Sequence, residues 1–485
     1  LFPYTTLFRS SHSRWWRWLD HRLVGWPRKL RAGVAGVGML RISGARAIEV
    51  ADAVFRAASG KRLKDAETQR VLYGHVVDEE GAPIDEVLAL VMRAPHSYTR
   101  EDVVELSCHG GSIVLRRVLG RVLAAGARSA ERGEFTKRAF LSGRLDLSQA
   151  QAVMEIVSAR TDRALRVAEG HLAGHFSGKI HAMRQKCLGL IAHLEAAIDF
   201  PEDEIDDVVI DEVERAVAQL RQEIRALLAT AHTGRILRDG LPTAIVGKPN
   251  VGKSSLMNAL LREERAIVTD IPGTTRDSIE EYADIGGVPL SLIDTAGIRE
   301  TDDAVERIGV EKARGYIERA ALVLALFDGA QPLAAEDEEI LSLVAGRPAL
   351  LLLTKSDLPP VTTPAALAAA YARCAGEDAA APTILAISAR EEQGLSALAA
   401  AIGDFAGTGS GLEEGSFVSD ERSAALLRAA DAQLGAALKT IGAGLSVDFI
   451  SIDLRAAWEK LGEITGETVG EDIIDEIFSK FCIGK

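Results

Sequence analysis

Cysteine is scarce in this chain: four residues (Cys108, Cys187, Cys374, Cys482) among 485. None lies at a paired spacing. That excludes a disulfide framework and a four-thiolate zinc site, and it points to a reducing, cytoplasmic setting. No apolar run approaches the roughly 20 residues of a membrane-spanning helix, so no membrane partner is expected. Aromatic residues reach only 5%, and Trp458 is the sole tryptophan beyond position 26. What is present is ordinary globular material, 47% hydrophobic and 26% charged with a net charge of −14. A disordered, collagen-like or coiled-coil chain is excluded, and the length suggests about three domains.

The first 32 residues differ from the rest. They hold Trp15, Trp16, Trp18 and Trp26 and carry a net charge of +6, leaving −20 on the body. Arg14, Arg17, Asp20 and Arg22 interrupt every apolar core that a signal peptide would need. The charges give no clean amphipathic face for a membrane or nucleic acid. Residues 1–32 are therefore expected to be a non-native or artefactual segment that adds nothing to the fold.

The body divides by texture. Residues 33–147 read as an α+β domain. "VGMLRISG" suggests a strand, "VLYGHVVD" and "GAPIDEVLALVMRAP" a strand pair, and "GSIVLRRVLGRVLAAGA" a helix ending at Gly126. Residues 148–238 are helical in pattern, with an acidic inter-helix break at 199–207. From 239 to 406 short apolar strands ("TAIVG", "LSLID", "ALVLALFD", "PALLLLT", "PTILAIS") alternate with amphipathic helices, the mark of βαβ units and a mostly parallel sheet. Helical patterning returns within 407–485. Helices on both flanks of an α/β stretch predict one helical domain with the α/β unit inserted into it.

That inserted stretch carries the chemistry. "GKPNVGKS" (247–254) fits G-x-x-x-x-G-K-[ST] after a strand and before a helix. Its backbone amides, from Asn250 through Val251, Gly252 and on to Ser255, form a nest for phosphates. Lys253 neutralises the β and γ phosphates, and the Ser254 hydroxyl is a hard ligand for Mg²⁺. "DTAG" (Asp294, Thr295, Ala296, Gly297) follows a strand, where Asp294 can hold Mg²⁺ through water and Gly297 can sense the γ-phosphate. "TKSD" (Thr354, Lys355, Ser356, Asp357) ends another strand. Asp357 can accept from both N–H donors of guanine, which adenine lacks, and so selects GTP over ATP. "SAR" (Ser388, Ala389, Arg390) ends the last strand and can bring a backbone amide to the guanine oxygen. Between helix and strand lies "IVTDIPGTTRD", where Thr275 is the candidate second Mg²⁺ ligand of a loop that relaxes on hydrolysis. The order of these motifs predicts a GTPase.

Ile298 stands where a Ras-type enzyme has its water-orienting Gln. Asn250 could instead help build a monovalent-cation site that replaces an arginine finger. Glu306 is open to two readings, a helix-surface carboxylate or a group acting on the water.

The phosphate loop, "DIPGTTRD", "DTAGIRETDDAVERIG", "RISG" (41–44), "SYTREDVVEL" (97–106), "GEFTKRAFLSGRLDLSQAQAV" (133–153), "LGEITGE" (461–467) and the terminal "FCIGK" together resemble the tRNA modification GTPase family MnmE, also called TrmE. The resemblance covers nearly everything from Gly33 on. It implies a folate-binding, dimerising N-terminal domain, a helical domain and an inserted Ras-like P-loop G domain. It implies a homodimer that joins an FAD-containing partner, MnmG (also called GidA), in a heterotetramer or larger complex. Together they would add an aminomethyl-type group at carbon 5 of the tRNA wobble uridine, drawing one carbon from 5-formyl- or 5,10-methylene-tetrahydrofolate. By position, Asn250, Thr269, Ile271 and Thr274 would hold K⁺ within the nucleotide loop that also includes Asp270, Pro272 and Gly273. Ser254 and Thr275 would hold Mg²⁺, and Glu306 would be the catalytic carboxylate. Arg41, Glu105, Arg144 and Lys485 match folate contacts, and Cys482 matches a cysteine assigned to the modification. The family's first strand is expected to be missing or replaced here, because "RKLRAGVAGVG" stands where a Thr-Pro-Pro-Gly type turn is usual. Two rivals remain: a GTP switch in ribosome assembly without modification activity, and a folate-dependent one-carbon transferase regulated by GTP. The first lacks a visible basic RNA-binding module, and the terminal "FCIGK" favours the modification reading over both.

Overall fold

The structure, a computed structural model, describes residues 4–8, 35–199, 207–263, 281–293, 309–376, 381–408 and 416–481. The chain forms two compact units, residues 1–154 with 465–485, and residues 155–464.

The first unit is built on a seven-stranded sheet of β1 (Tyr4–Phe8), β2 (Val37–Ser43), β3 (Phe55–Ala57), β4 (Arg70–Val77), β5 (Pro83–Met92), β6 (Val103–His109) and β7 (Arg128–Ser129). The order across it is β3-β4-β5-β6-β2-β1-β7. Neighbours run antiparallel, except that β1 and β7 are parallel. Along β5, Val87, Ala89 and Val91 are buried while Leu88 is exposed, the period of two expected of a sheet with one covered face. The covering comes from α1 (Ala47–Val54) and α2 (Ser112–Ala124), whose Leu115, Val118 and Val122 recur at helical spacing and meet Leu40, Ile42, Val104 and Leu106 of the sheet. The segment expected to stand outside the fold differs in one respect: Tyr4–Phe8 pairs with β2 along its length and so adds a strand where the first strand is expected to be missing.

The chain end also belongs here. The helix Glu471–Ser479, placed by sequence pattern with the helical domain, buries Ile474 and Phe478, and with Phe481 beyond it packs on Leu147 and Ala150 of α4 (Leu147–Ser158) and on Phe140 of α3 (Glu134–Leu141). Three large apolar groups on one short helix and its exit decide that allegiance.

In the second unit, α5 (Asp162–Leu172) leads to the long helices α6 (His175–Asp199) and α7 (Asp207–Leu228), followed by α8 (Ala231–Asp239). Their apolar stripes, Ile180, Met183, Cys187, Ile191 and Leu194 on α6 and Val213, Val217, Leu220 and Ile224 on α7, share one core with residues far along the chain. Those residues are Leu427, Ala430 and Leu434, and later Ile450, Leu454 and Leu461. A single helical core is thus assembled from both flanks of an intervening stretch.

That stretch holds a six-stranded sheet of β8 (Leu241–Gly247), β9 (Glu281–Ile285), β10 (Val288–Leu292), β11 (Leu322–Asp328), β12 (Ala349–Thr354) and β13 (Thr383–Ala386), ordered β13-β12-β11-β8-β10-β9. All neighbours are parallel except β9, which turns back on β10 through Gly286 and Gly287 at φ 62° and 84°. Every residue of β11 is buried, as a strand covered on both faces requires. One face packs on α9 (Lys253–Glu263) and on the helix Leu395–Phe405, the other on helices Gly309–Arg319, Ala335–Val344 and Pro364–Ala375. β8 lies between β10 and β11, so the chain leaving its carboxyl end enters a switch point, where ligand crevices of open α/β sheets form.

Candidate functional site

The phosphate loop occupies that switch point. It leaves β8 at Gly247 and enters α9 at Lys253. Asn250 (φ 59°) and Gly252 (φ 105°) both take left-handed backbone, a conformation that turns successive N–H groups toward one concavity. Val251 is fully buried beneath the loop, while Ser254 and Ser255 are exposed in the first turn of α9, where the helix dipole favours an anion. Lys253 donates to Gly247 O (2.7 Å) and Lys248 O (2.8 Å), and burial lowers its pKa. Lys248 is anchored from behind by Asp337, a carboxylate 1% exposed at 2.8 Å, which also accepts from Ala334 N–H at the start of its helix.

The "TKSD" motif meets this loop. Thr354, at the end of β12 and buried, donates its hydroxyl to Val251 O (2.7 Å) and lies 3.1 Å from Phe327 O. A single hydroxyl therefore ties the two motifs together. Lys355 follows in left-handed backbone (φ 59°) and pairs with Asp328 at 2.7 Å. Ser356 N–H donates to Ile387 O (3.2 Å), which draws the motif toward Ser388, buried just past β13. A hydrogen bond with Ser388, then one with the backbone, and the charges of Arg390 and Lys355 hold the Asp357 carboxyl below its ordinary range. These contacts favour the ionised, acceptor-only form of Asp357. Arg390 extends into solvent and Ala389 packs at the edge of the core.

The remaining expected nucleotide residues, Thr269, Asp270, Ile271, Pro272, Gly273, Thr274, Thr275, Asp294, Thr295, Ala296, Gly297 and Glu306, lie outside the described residues. Their chain neighbours do not. β9 begins at Glu281, and Ile293, immediately before Asp294, donates to Thr243 O of β8 at 3.1 Å. Among the described residues, no cluster of three or more His, Cys, Asp or Glu side chains could hold a metal ion by itself, and no helix is long and apolar enough to cross a membrane.

A second constellation stands on the open face of the seven-stranded sheet. Arg41 of β2 and Glu105 of β6 face each other in register and form an ion pair of 2.7 Å, both largely sheltered. The Arg41 guanidinium lies 5.4 Å from the Phe135 ring centroid and 5.5 Å from that of Tyr98. Arg144 covers Tyr98 from 4.6 Å and donates to its carbonyl at 2.8 Å. Tyr98 in turn shares a hydrogen bond with Thr136. Two residues read from separate motifs, Arg41 and Arg144, converge on one aromatic ring and Glu105 joins them through Arg41, while Cys482 and Lys485 lie outside the described residues. Sequence reading missed Tyr98 and Phe135. The signal was available, since both stand inside "SYTREDVVEL" and "GEFTKRAF", the strings that also carry the resemblance.

Residues 147–482, more than half the chain, match the family described as MnmE helical domain. Residues 30–144 match that described as GTP-binding protein TrmE N-terminus. The tRNA modification GTPase MnmE of Geobacillus kaustophilus is 49% identical over 457 residues, 93% of this chain and 97% of that one. Its counterpart from Symbiobacterium thermophilum is 49% identical over 455 residues, 94% and 97% of the two chains. Likeness to solved structures is slighter: Aquifex aeolicus Era bound to GDP and aluminium fluoride is 27% identical over 39% of this chain and 65% of that one, with a TM-score of 0.26. A phosphate loop tied to a guanine motif within a split helical core, together with relatives this similar along almost their whole length, places the chain in the MnmE family of tRNA modification GTPases.

Proposed function

We propose that the chain hydrolyses GTP in its 239–406 segment and couples that cycle to adding an aminomethyl-type group at carbon 5 of the tRNA wobble uridine. It would act as a cytoplasmic homodimer with an FAD-containing partner and take the carbon from a tetrahydrofolate. The observation that carries the nucleotide half is the bond from Thr354 to Val251 O, because it sets the guanine-selecting Asp357 and the phosphate-binding Lys253 in one fixed frame. Ser254 at the start of α9 suits a shared Mg²⁺ site with Thr275. Asn250, in left-handed backbone, suits a K⁺ site with Thr269, Ile271 and Thr274. When bound, these cations neutralise charge developing on the phosphates. Glu306 then orients the attacking water. The folate half rests on the Glu105–Arg41 ion pair and on Arg41 and Arg144 over the Tyr98 ring, with Lys485 the expected fourth folate contact and Cys482 the expected cysteine of the modification step. A sheltered carboxylate suits the paired N–H donors of a pterin, and a cation lying over a ring suits a flat ligand.

The decisive measurement is GTP hydrolysis in KCl against NaCl, for the parent, Asn250→Ala and Glu306→Ala. The parent is expected to be faster in KCl, Asn250→Ala to lose that difference, and Glu306→Ala to fall by about 100-fold or more. Equal parental rates in the two salts would remove the cation mechanism. A near-parental rate for Glu306→Ala would return that residue to the helix surface.

A further inference from the structure

The end of β11 carries a group the nucleotide motifs do not account for. Asp328 pairs in register with Thr354 of β12 and is 2% exposed. A buried carboxylate needs a countercharge and filled hydrogen-bond positions. One oxygen accepts from Ala330 N–H at 2.9 Å, and the other takes Lys355 Nζ at 2.7 Å. The next residue, Gly329, is stitched to the recognition loop on both sides: its N–H donates to Thr354 O (3.0 Å), and its carbonyl accepts from Val361 (2.8 Å) and Thr362 (3.0 Å). Asp328 therefore sits in a rigid frame behind the guanine motif.

Lys355 is the residue that most needs such a frame. It is an L-residue held at φ 59°, where side-chain crowding opposes the backbone. Its stem is long and a third of the side chain is exposed, so without a partner it would populate many rotamers. Lys355 also directly precedes the turn that presents Asp357, and its charge helps keep that carboxyl ionised.

The geometry points to Asp328 as a positioning residue for guanine recognition, one that fixes Lys355 in its bound-state place before any nucleotide arrives. Ordering that stem ahead of binding moves its entropic cost from association to folding, which raises affinity. This rests on the guanine-nucleotide reading above. Because the base is common to both nucleotides, the effect is expected to be equal on GDP and GTP and to leave discrimination between them untouched.

The test is a double-mutant cycle on the full chain, with dissociation constants for GDP and GTP measured by fluorescent-nucleotide titration. The proteins are the parent, Asp328→Asn, Lys355→Met and the double variant, each with its nucleotide-free thermal unfolding. Asp328→Asn is expected to weaken GDP and GTP by the same factor, about tenfold. The double variant should bind no worse than Lys355→Met alone, since Asp328 acts through Lys355. Asp328→Ser, which keeps an acceptor for Ala330 N–H without the charge, repeats the test should Asn disturb the fold. Additive losses in the cycle, parental affinity in both Asp328 variants, or a loss for one nucleotide only would overturn the assignment. Preference for GDP over ADP is read on the parent in the same titration. Failure of the guanine reading thus shows in the parent, and failure of the Asp328 assignment shows only in the cycle.

Discussion

The two sheets keep their charged residues in opposite places. In the six-stranded, mostly parallel sheet the central strands are covered on both faces, and the polar groups of the motifs stand where strands stop: Lys253 past β8, Asp328 at the end of β11, Thr354 at the end of β12 with Lys355 just past it, Ser388 past β13. In the seven-stranded sheet one face is open, and Arg41 and Glu105 stand in mid-strand, paired across the ladder between apolar neighbours that point the other way. A doubly covered sheet exports its chemistry to loops, where a few consecutive residues share one task. A half-open sheet can keep chemistry on its face, where partners come from distant strands and meet through register alone.

This contrast can be broken at either site. The largest effect is expected from Lys253→Ala, which removes the ammonium from a cradle made of loop carbonyls. GTP hydrolysis should fall by about 100-fold or more while far-ultraviolet circular dichroism stays parental. Retained hydrolysis would show that the loop does not do its work through that lysine. Next comes Glu105→Ala. It leaves the sheltered Arg41 without its partner and should lower unfolding free energy in denaturant by about 1–3 kcal/mol, with nucleotide affinity unchanged. An equal loss of GTP affinity would break the separation drawn here between the two sites.

The smallest effect sharpens the comparison inside the second unit. His171 places its ring nitrogens 2.9 Å from Glu155 and 2.8 Å from Phe417 O, and Ser419 donates to the other Glu155 oxygen. Burial alone would lower the His171 pKa and raise that of Glu155, but their mutual bond and charge outweigh it, so His171 is raised above 6.5 and Glu155 lowered below 4.5. The histidine's contribution to stability is then fully present below pH 6.5 and fades as pH rises through its folded value. The glutamate's contribution is fully present above pH 4.5 and fades as pH falls through its folded value. Thermal unfolding should show the pair worth most between about pH 4.5 and 6.5, and that pH dependence should flatten in His171→Gln. An unchanged profile would mean the pair is neutral in the fold.

Legibility followed the same division. "GKPNVGKS" and "TKSD" could be read directly because each is a run of neighbours whose spacing encodes its own geometry. Arg41, Glu105 and Arg144 were reachable only through resemblance, because no spacing in the chain reveals that β2 and β6 lie side by side. Tyr98 and Phe135 escaped notice since one aromatic in a motif has no periodicity to mark it. Asp328 belongs to no motif; its setting comes from Lys355, just past the neighbouring strand β12. β9 was overlooked although Gly286-Gly287 is a strong two-residue hairpin signal. The last helix reads as amphipathic, and such a pattern says that a face will be buried and not against what.

The split helical core has a consequence for how the molecule is made. α6 and α7 emerge from the ribosome with an apolar face whose partners, Leu427, Leu434, Leu454 and Leu461, have not yet been synthesised. The intervening sheet, whose contacts are largely its own, can fold in the meantime. When the late helices arrive, Val418 N–H closes on Thr230 Oγ1 at 2.9 Å and seals the loop at its neck. A nascent chain of this design keeps part of that apolar stripe without its late partners for as long as the intervening sheet takes to translate, an exposure set by the topology and not by any one residue.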